Sequence, residues 1–194
     1  MLEAMMTRRF KRPSSGFTLI ELLVVIAVAA VLLSIAAPSM QQLIATERLK
    51  NINAQFVTDI QAARSLAVAQ NNSTQNVFVQ FQKTAAMSCY VAYYYPSIFI
   101  NCDCTRPPGS VCTGAKELHS VQIPTSTDVQ ILPAASNVPP LKFADNGMLN
   151  SLTPFVFTTS HISGRAGTLQ TTVPLTGRPS VCSPDNSVSG TPIC

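Results

Sequence analysis

Six cysteines are the side chains most able to do chemistry in this sequence of 194 residues. Thiolates form disulfides, bind zinc, or act as nucleophiles when their pKa is lowered. All six come after the most apolar part of the chain: Cys89, Cys102, Cys104, Cys112, Cys182 and Cys194. Because disulfides persist in oxidising compartments, this placement favours disulfides in an exported domain.

The connectivity of these cysteines is not fixed by the sequence, since six cysteines allow fifteen complete pairings. The three short closures that we expect join neighbours along the chain: Cys182–Cys194, Cys104–Cys112 and Cys89–Cys102. Zinc is the competing interpretation, but Cys102-x-Cys104 is not the usual C-x(2–4)-C spacing of zinc ligands. We therefore expect disulfides, with no metal and no cofactor.

Other catalytic patterns are missing from the sequence. Its two histidines, His119 and His161, have no motif around them. No nucleophile elbow, phosphate-binding loop or HExxH motif is present. We expect both histidines to be surface or packing residues, and we expect the protein not to be an enzyme.

One carboxylate, Glu21, lies inside the most apolar stretch of the chain, residues 17–37. A stretch of about 21 residues is long enough for a helix to cross a bilayer. The basic residues that precede it should stay in the cytoplasm: Arg8, Arg9, Lys11 and Arg12. A carboxylate inside a membrane costs roughly 2.5–3.5 kcal/mol on insertion scales, so an acid there indicates a function.

Three other interpretations of this segment explain less. An ordinary secretory signal with cleavage near residues 34–37 accounts for the basic and apolar stretches, as does a simple single-pass anchor. Neither accounts for the position of Glu21, four residues into the apolar run. A first-turn acid favoured by the helix dipole accounts for Glu21 but not for the residues around it.

The segment Gly16-Phe17-Thr18-Leu19-Ile20-Glu21 resembles the cleavage motif of type IV prepilins, G|FTLIE followed by an apolar run. The resemblance implies that a prepilin peptidase cuts between Gly16 and Phe17 and that the new Phe17 amine is methylated. It also implies that Glu21 pairs with the Phe17 amine of a neighbouring subunit. Such a pair replaces two isolated charges in an apolar environment and fixes the register between subunits.

The elements that must position these residues form an α+β fold. After Pro38, apolar residues recur every three or four positions: Ala45, Leu49, Ile52, Phe56, Ile60, Ala63 and Ala67. This spacing predicts an amphipathic helix, and we interpret Pro38 as a kink in it, with a true helix end as the alternative. From residue 73, short β-favouring runs and turn signals predict an antiparallel sheet. We expect a long N-terminal helix packed on this sheet.

The predicted organisation has four parts. Residues 1–16 are a leader peptide, residues 17–37 a transmembrane and assembly helix, residues 38–72 its amphipathic continuation, and residues 73–194 a disulfide-containing head domain. Without the leader, nine basic residues face eight acidic ones, although the whole chain has a formal charge of +4. This near-neutral body argues against strong nonspecific nucleic-acid binding.

The end of the head domain adds a second resemblance. Residues 168–173, followed by Pro174-Leu175-Thr176-Gly177-Arg178, are similar to the last strand and Gly-Arg segment of the FimT/FimU/GspH minor pilins and pseudopilins. Some FimT-type pilins bind DNA through a G-R-x-R segment. Here the second arginine is replaced by Ser180, which leaves Arg178, with Arg165, as the candidate DNA contacts.

Together, these resemblances imply a minor type IV pilin at or near the pilus tip that helps to prime assembly, with roles in twitching motility, adhesion or DNA uptake. The first alternative is a GspH-like pseudopilin of a type II secretion system, and the second is a DNA-binding pilus receptor. The expected partners are other pilins, the prepilin peptidase and the inner membrane, with DNA the weakest candidate. The expected location is the inner membrane, with the head in the periplasm, and then the filament.

Overall fold

The computed structural model describes residues 17–70, 76–94, 101–134 and 138–194. The chain divides into two compact units, Met1–Met40 and Gln41–Cys194. The predicted leader, residues 1–16, lies outside the described residues, and with it Gly16 of the predicted cleavage site.

In the first unit, the described residues from Leu19 onward are helical. They belong to α1, which spans Leu19–Gln70. The large apolar side chains of this part are exposed, from Phe17 at 85% to Met40 at 58%. Position 38 is helical too, so α1 does not end at the proline. The alternative of a helix end at Pro38 is therefore wrong, and a kink there stays a prediction.

In the second unit, the predicted amphipathic stripe is the face of α1 that is buried. Leu49, Phe56 and Ile60 are completely buried, and Ala63 and Ala67 nearly so. Phe56 makes edge-to-face contacts with Phe81, Tyr90 and Phe157. Burying side chains of this size stabilises a fold by about 1.5–3 kcal/mol each, so the stripe holds the helix on the sheets.

The rest of the second unit is made of short antiparallel strands: β1 (Val77–Lys83), β2 (Met87–Tyr94), β3 (Asn101–Cys102), β4 (Cys112–Thr113), β5 (Lys116–Pro124), β6 (Val129–Pro133), β7 (Leu141–Phe143), β8 (Phe155–His161), β9 (Thr168–Val173) and β10 (Ser180–Cys182). One sheet has the order β5-β2-β1-β7 and another the order β10-β9-β8-β6. The hairpin β3–β4 forms a separate ladder. The expected α+β class, a long helix packed on antiparallel sheets, is confirmed.

Both four-stranded sheets contribute to one core under the helix. Val77, Val79 and Tyr90 come from the first sheet, and Phe157 and Val173 come from the second. A buried polar contact adds specificity, because the Oδ1 atom of Asn53 on α1 accepts hydrogen bonds from the hydroxyls of Thr159 on β8 and Thr171 on β9. Buried polar groups need such partners, so this contact fixes the position of the helix along the second sheet.

Candidate functional site

The start of α1 is built around Thr18 and Glu21. The Thr18 hydroxyl accepts a hydrogen bond from the Glu21 backbone amide at 3.3 Å, and the Thr18 carbonyl accepts one from the Leu22 amide at 3.2 Å. This is the geometry of an N-cap, in which a threonine satisfies an amide that the helix itself leaves unpaired. The cap places Glu21 in the first turn, one turn from Phe17.

The helix that carries Glu21 is long and apolar enough to cross a membrane. The most apolar part of it is not buried within the chain. Because apolar side chains are unfavourable in water, this segment requires lipid or other proteins around it. Its first turn carries one carboxylate, Glu21, beside these exposed apolar side chains.

The disulfides correct two of the expected pairs. The structure joins Cys182 to Cys194, as expected, but Cys89 to Cys104 and Cys102 to Cys112. The expected pairs Cys89–Cys102 and Cys104–Cys112 are therefore wrong.

Strand register explains the difference. Cys102 and Cys112 stand opposite each other in the β3–β4 hairpin, with their Cα atoms 4.1 Å apart. Cys104, which follows β3, lies over β2, and its Cα atom is 5.8 Å from that of Cys89. A disulfide requires Cα atoms within about 7 Å, so the fold and not the chain spacing selects the partners.

The disulfides Cys89–Cys104 and Cys102–Cys112 belong to a layer, the cysteine cover, on the face of the first sheet that points away from α1. Cys89, Val91 and Tyr93 of β2 pack there against Cys102, Cys104 and Val111. Polar side chains of the same sheet hold the cover through its backbone. The amide nitrogens of Gln80 and Gln82 donate to the Cys102 carbonyl, and that of Gln122 donates to the carbonyls of Cys104 and Arg106.

Arg64 of α1 joins two turns near the C-terminal end of the helix, a role that no sequence pattern predicts. Its Nε atom donates to the Gly147 carbonyl at 3.1 Å and to the Thr176 carbonyl at 3.3 Å. Gly147 and Gly177 have φ of +73°, a conformation that glycine adopts without strain. A Cβ atom on Gly177 would lie 2.4 Å from the Gly147 carbonyl oxygen, so the two turns meet only because this residue has no side chain.

The structure does not bring Arg165 and Arg178 together. Arg165 precedes β9 and Arg178 follows it, in the turns at opposite ends of this strand. Six strand residues span roughly 20 Å, so the two exposed arginines do not form one patch. Arg165 also lies near the negative charge of Asp128, whose pKa is held below its usual range mainly by hydrogen bonds from Ser163 and least by the charge of Arg165.

His161 lies in a polar cluster at the start of β6. Its Nδ1 atom is 2.9 Å from the Ser163 hydroxyl and 3.2 Å from an Asp128 carboxylate oxygen. The Ser163 hydroxyl donates to the same carboxylate at 2.6 Å. Hydrogen bonds from Ser163 are the main cause of the lowered pKa of Asp128. Since serine and aspartate share one ring nitrogen, the histidine does not stand between them as it does in a catalytic triad.

His119 lies in a second cluster that links α1 to the first sheet. Asp59 accepts a hydrogen bond of 2.6 Å from the buried Tyr90 hydroxyl, and its carboxylate is 3.5 Å from His119 Nε2. Burial, followed by the contact with Asp59, raises the pKa of Tyr90. The tyrosine is therefore a neutral hydrogen-bond donor that anchors the helix. Among the residues that the structure describes, no three acidic, histidine or cysteine side chains are arranged to hold a metal ion.

Two family models match this chain. Residues 11–37 match the prokaryotic N-terminal methylation motif, and residues 54–177 match the type II transport protein GspH. The chain belongs to the GspH family. As a type IV pilin-like protein of this family, it combines the methylation motif at its N-terminus with a GspH domain that includes the strands β1 to β9.

Individual relatives add little to this assignment. The chain is similar to the crystal structure of the Pseudomonas aeruginosa type IV minor pilin FimU, with 20% identity and a TM-score of 0.45. The match covers 70% of this chain and 90% of that one. No curated protein matches the chain significantly.

Proposed function

We propose that this GspH-family protein is a minor pilin, a structural subunit that enters a type IV pilus at or near its tip and helps to prime assembly. A prepilin peptidase cuts the precursor between Gly16 and Phe17 and methylates the new amine. Residues 17–37 then hold the subunit in the inner membrane, with its head in the periplasm, until neighbouring pilins receive it. The observation that carries this proposal is the exposed apolar helix with Glu21 in its first turn, inside a methylation motif.

The chemistry of Glu21 supports assembly through this helix. In the mature subunit the cationic Phe17 amine and the Glu21 carboxylate are about one helical turn apart. A neighbour displaced along the filament axis can pair its own Glu21 carboxylate with this amine. Because a buried charge is strongly destabilising when it is unpaired, only the correct register is favourable.

A position near the tip agrees with the features of the head. The cysteine cover, formed by the disulfides Cys89–Cys104 and Cys102–Cys112, adds a layer to the first sheet. It includes an exposed turn at residues 107–110, in which the Gly109 amide donates a hydrogen bond of 3.0 Å to the Glu117 carboxylate. In a subunit at the end of a filament, part of the head surface is not covered by neighbouring subunits. A rigid, disulfide-braced surface suits that place, since disulfides stabilise a domain that lacks support from neighbours.

The match to the type II transport protein favours a second candidate, a minor pseudopilin of a type II secretion system. Such a subunit uses the same helix and the same maturation. Deleting the gene separates the two candidates, because loss of a pilus gene abolishes piliation and loss of a pseudopilin gene abolishes protein secretion. The DNA receptor is disfavoured, since the candidate contacts Arg165 and Arg178 lie at opposite ends of a strand.

Two measurements test the proposal. Mass spectrometry of the mature protein should find methylated Phe17 at the N-terminus, and any other start overturns the proposed maturation. Glu21→Val should insert into membranes at least as well as the wild type, because it removes a charge from the apolar segment, yet enter filaments poorly.

Ser34→Ala is the matched control for the Glu21 variant. It removes a polar group from the same segment, a hydroxyl that donates to the Val31 carbonyl, and it changes no charge. It should be incorporated normally. If Glu21→Val is found in filaments at the level of Ser34→Ala, the carboxylate has no role in assembly.

A further inference from the structure

The two disulfides of the cysteine cover are interlaced. In chain order, the first of the four cysteines pairs with the third and the second pairs with the fourth: Cys89–Cys104 and Cys102–Cys112. The remaining pair, Cys182–Cys194, joins two cysteines that are neighbours in the chain. Oxidation of the cysteines in chain order would therefore produce Cys182–Cys194 directly, but it would not produce Cys89–Cys104 or Cys102–Cys112.

Nothing local favours the interlaced pairs over the neighbouring ones. The native pairs have sequence separations of 15 and 10 residues, and Cys89–Cys102 or Cys104–Cys112 would close slightly shorter loops. Loop-closure entropy changes only slowly with length, so chain statistics do not select the native set. A chain that is exported from its N-terminal side also presents Cys89 and Cys102 to an oxidant before Cys104. Only the β3–β4 register and the packing of the cover on β2 distinguish the correct partners.

In the folded protein, three cysteines of the cover are also buried, so that other thiols do not reach their sulfur atoms. Cys104 is completely buried, and Cys89 and Cys102 are 3% and 4% exposed. Disulfide exchange requires a thiolate to reach a disulfide sulfur, so errors must be corrected before the cover packs on the sheet. An external thiol that acts on the incompletely folded head meets this requirement.

We propose that this protein is a substrate of a thiol–disulfide isomerase in the compartment where its head folds. A dithiol oxidase first makes Cys89–Cys102 and Cys104–Cys112, and is itself reduced. The isomerase thiolate attacks Cys102, forms a mixed disulfide and releases the Cys89 thiolate, which attacks Cys104 and releases Cys112. The Cys112 thiolate attacks the mixed disulfide at Cys102 and releases the isomerase thiolate. Two protein disulfides are present before and after, so the exchange itself consumes no oxidant.

This inference rests on the proposed export of the head, and the test separates the two. The full-length chain is expressed in a bacterial host and in the same host without its periplasmic thiol–disulfide isomerase. Free thiols are blocked by alkylation, and the unreduced protein is cut after lysine and before aspartate. Asp103 lies between Cys102 and Cys104, so the interlaced pairs keep fragments 84–102 and 103–116 covalently joined. Neighbour pairing leaves these fragments separate.

Without the isomerase, we expect the joined form to fall to about two thirds of its level or less, since four cysteines allow three connectivities and only neighbour pairing leaves the fragments separate. Cys182–Cys194 should form equally in both hosts. In the variant Cys102→Ser/Cys112→Ser, Cys89 and Cys104 have no interlaced competitor and should pair independently of the isomerase. The joined form at equal levels in both hosts, beside an oxidised Cys182–Cys194, overturns the isomerase inference alone. Six free thiols overturn both this inference and export.

Discussion

Substituting Gly177 tests whether the close approach of two turns at Arg64 limits the stability of the second unit. Gly177 and Gly164 have nearly the same φ, +73° and +72°. A Cβ atom at Gly164 would meet nothing within 4 Å, whereas one at Gly177 would lie 2.4 Å from the Gly147 carbonyl oxygen and 3.1 Å from Arg64 Cδ. Alanine at the two sites therefore meets different packing at nearly the same positive φ.

The expected magnitudes follow from these contacts. Gly164→Ala should lower the free energy of unfolding by about 1–2 kcal/mol, the cost of a left-handed conformation for a residue with a side chain. Gly177→Ala carries the same cost and adds about 1–3 kcal/mol, because a backbone carbonyl must move and the geometry of overpacked sites relaxes only in part. Both changes reduce the entropy of the unfolded chain equally, so this term cancels in the comparison.

Urea denaturation of the soluble fragment Gln41–Cys194 measures the difference. With a slope of about 2 kcal/mol per molar urea, the two variants should differ in midpoint by roughly 0.5–1.5 M. Arg64→Met supplies an independent perturbation, since it removes the donor that joins the two carbonyls and keeps an unbranched side chain. Coincident midpoints for the two glycine variants would refute the conclusion that the close contact of the turns constrains the fold.

Two further predictions concern charge. Hydrogen bonds from Ser163 lower the pKa of Asp128, so the charged carboxylate stabilises the second unit above the pKa of an unfolded aspartate, and this stabilisation is lost as the pH falls through the folded value. Asp128→Asn should therefore be less stable than wild type at pH 7, and the difference in urea midpoint should shrink as the pH is lowered. The soluble fragment should bind double-stranded DNA no better than the nonspecific range of roughly 10⁻⁴–10⁻⁶ M at physiological salt, with a shallow salt slope; submicromolar binding that Arg178→Ala abolishes would make Arg178 a DNA contact.

The helix was predictable from the sequence because its signal is periodic. Core residues from Leu49 to Ala67 recur at the helical spacing, and the structure buries that face. The strand runs were also visible, since β-favouring residues alternate between turn residues. The exact bounds, such as Val77–Lys83 for β1, were not predictable, because turn chemistry and strand pairing decide where a strand ends.

The sites were less predictable because they depend on register and on distant contacts. Cys102 and Cys112 pair because two short strands align them, and no local feature of the sequence reports this alignment. Arg165 and Arg178 are close in sequence but are separated by the length of β9. Arg64 looks like an ordinary polar helix residue, and its role appears only when two turns from the C-terminal third reach it.

A stronger signal for the cysteine cover was present in β2. This strand reads Met-Ser-Cys-Tyr-Val-Ala-Tyr-Tyr, and six consecutive residues in it are buried. A strand with only one covered face alternates apolar and polar residues, as β8 does in its burial pattern. A nearly continuous run of buried residues instead indicates a strand that is covered on both faces.

Because α1 covers one face, the run in β2 requires a second layer. The cysteine-rich segment after it is the part of the chain that supplies this layer, so the middle of the sequence is a structural layer of the head and not a free loop.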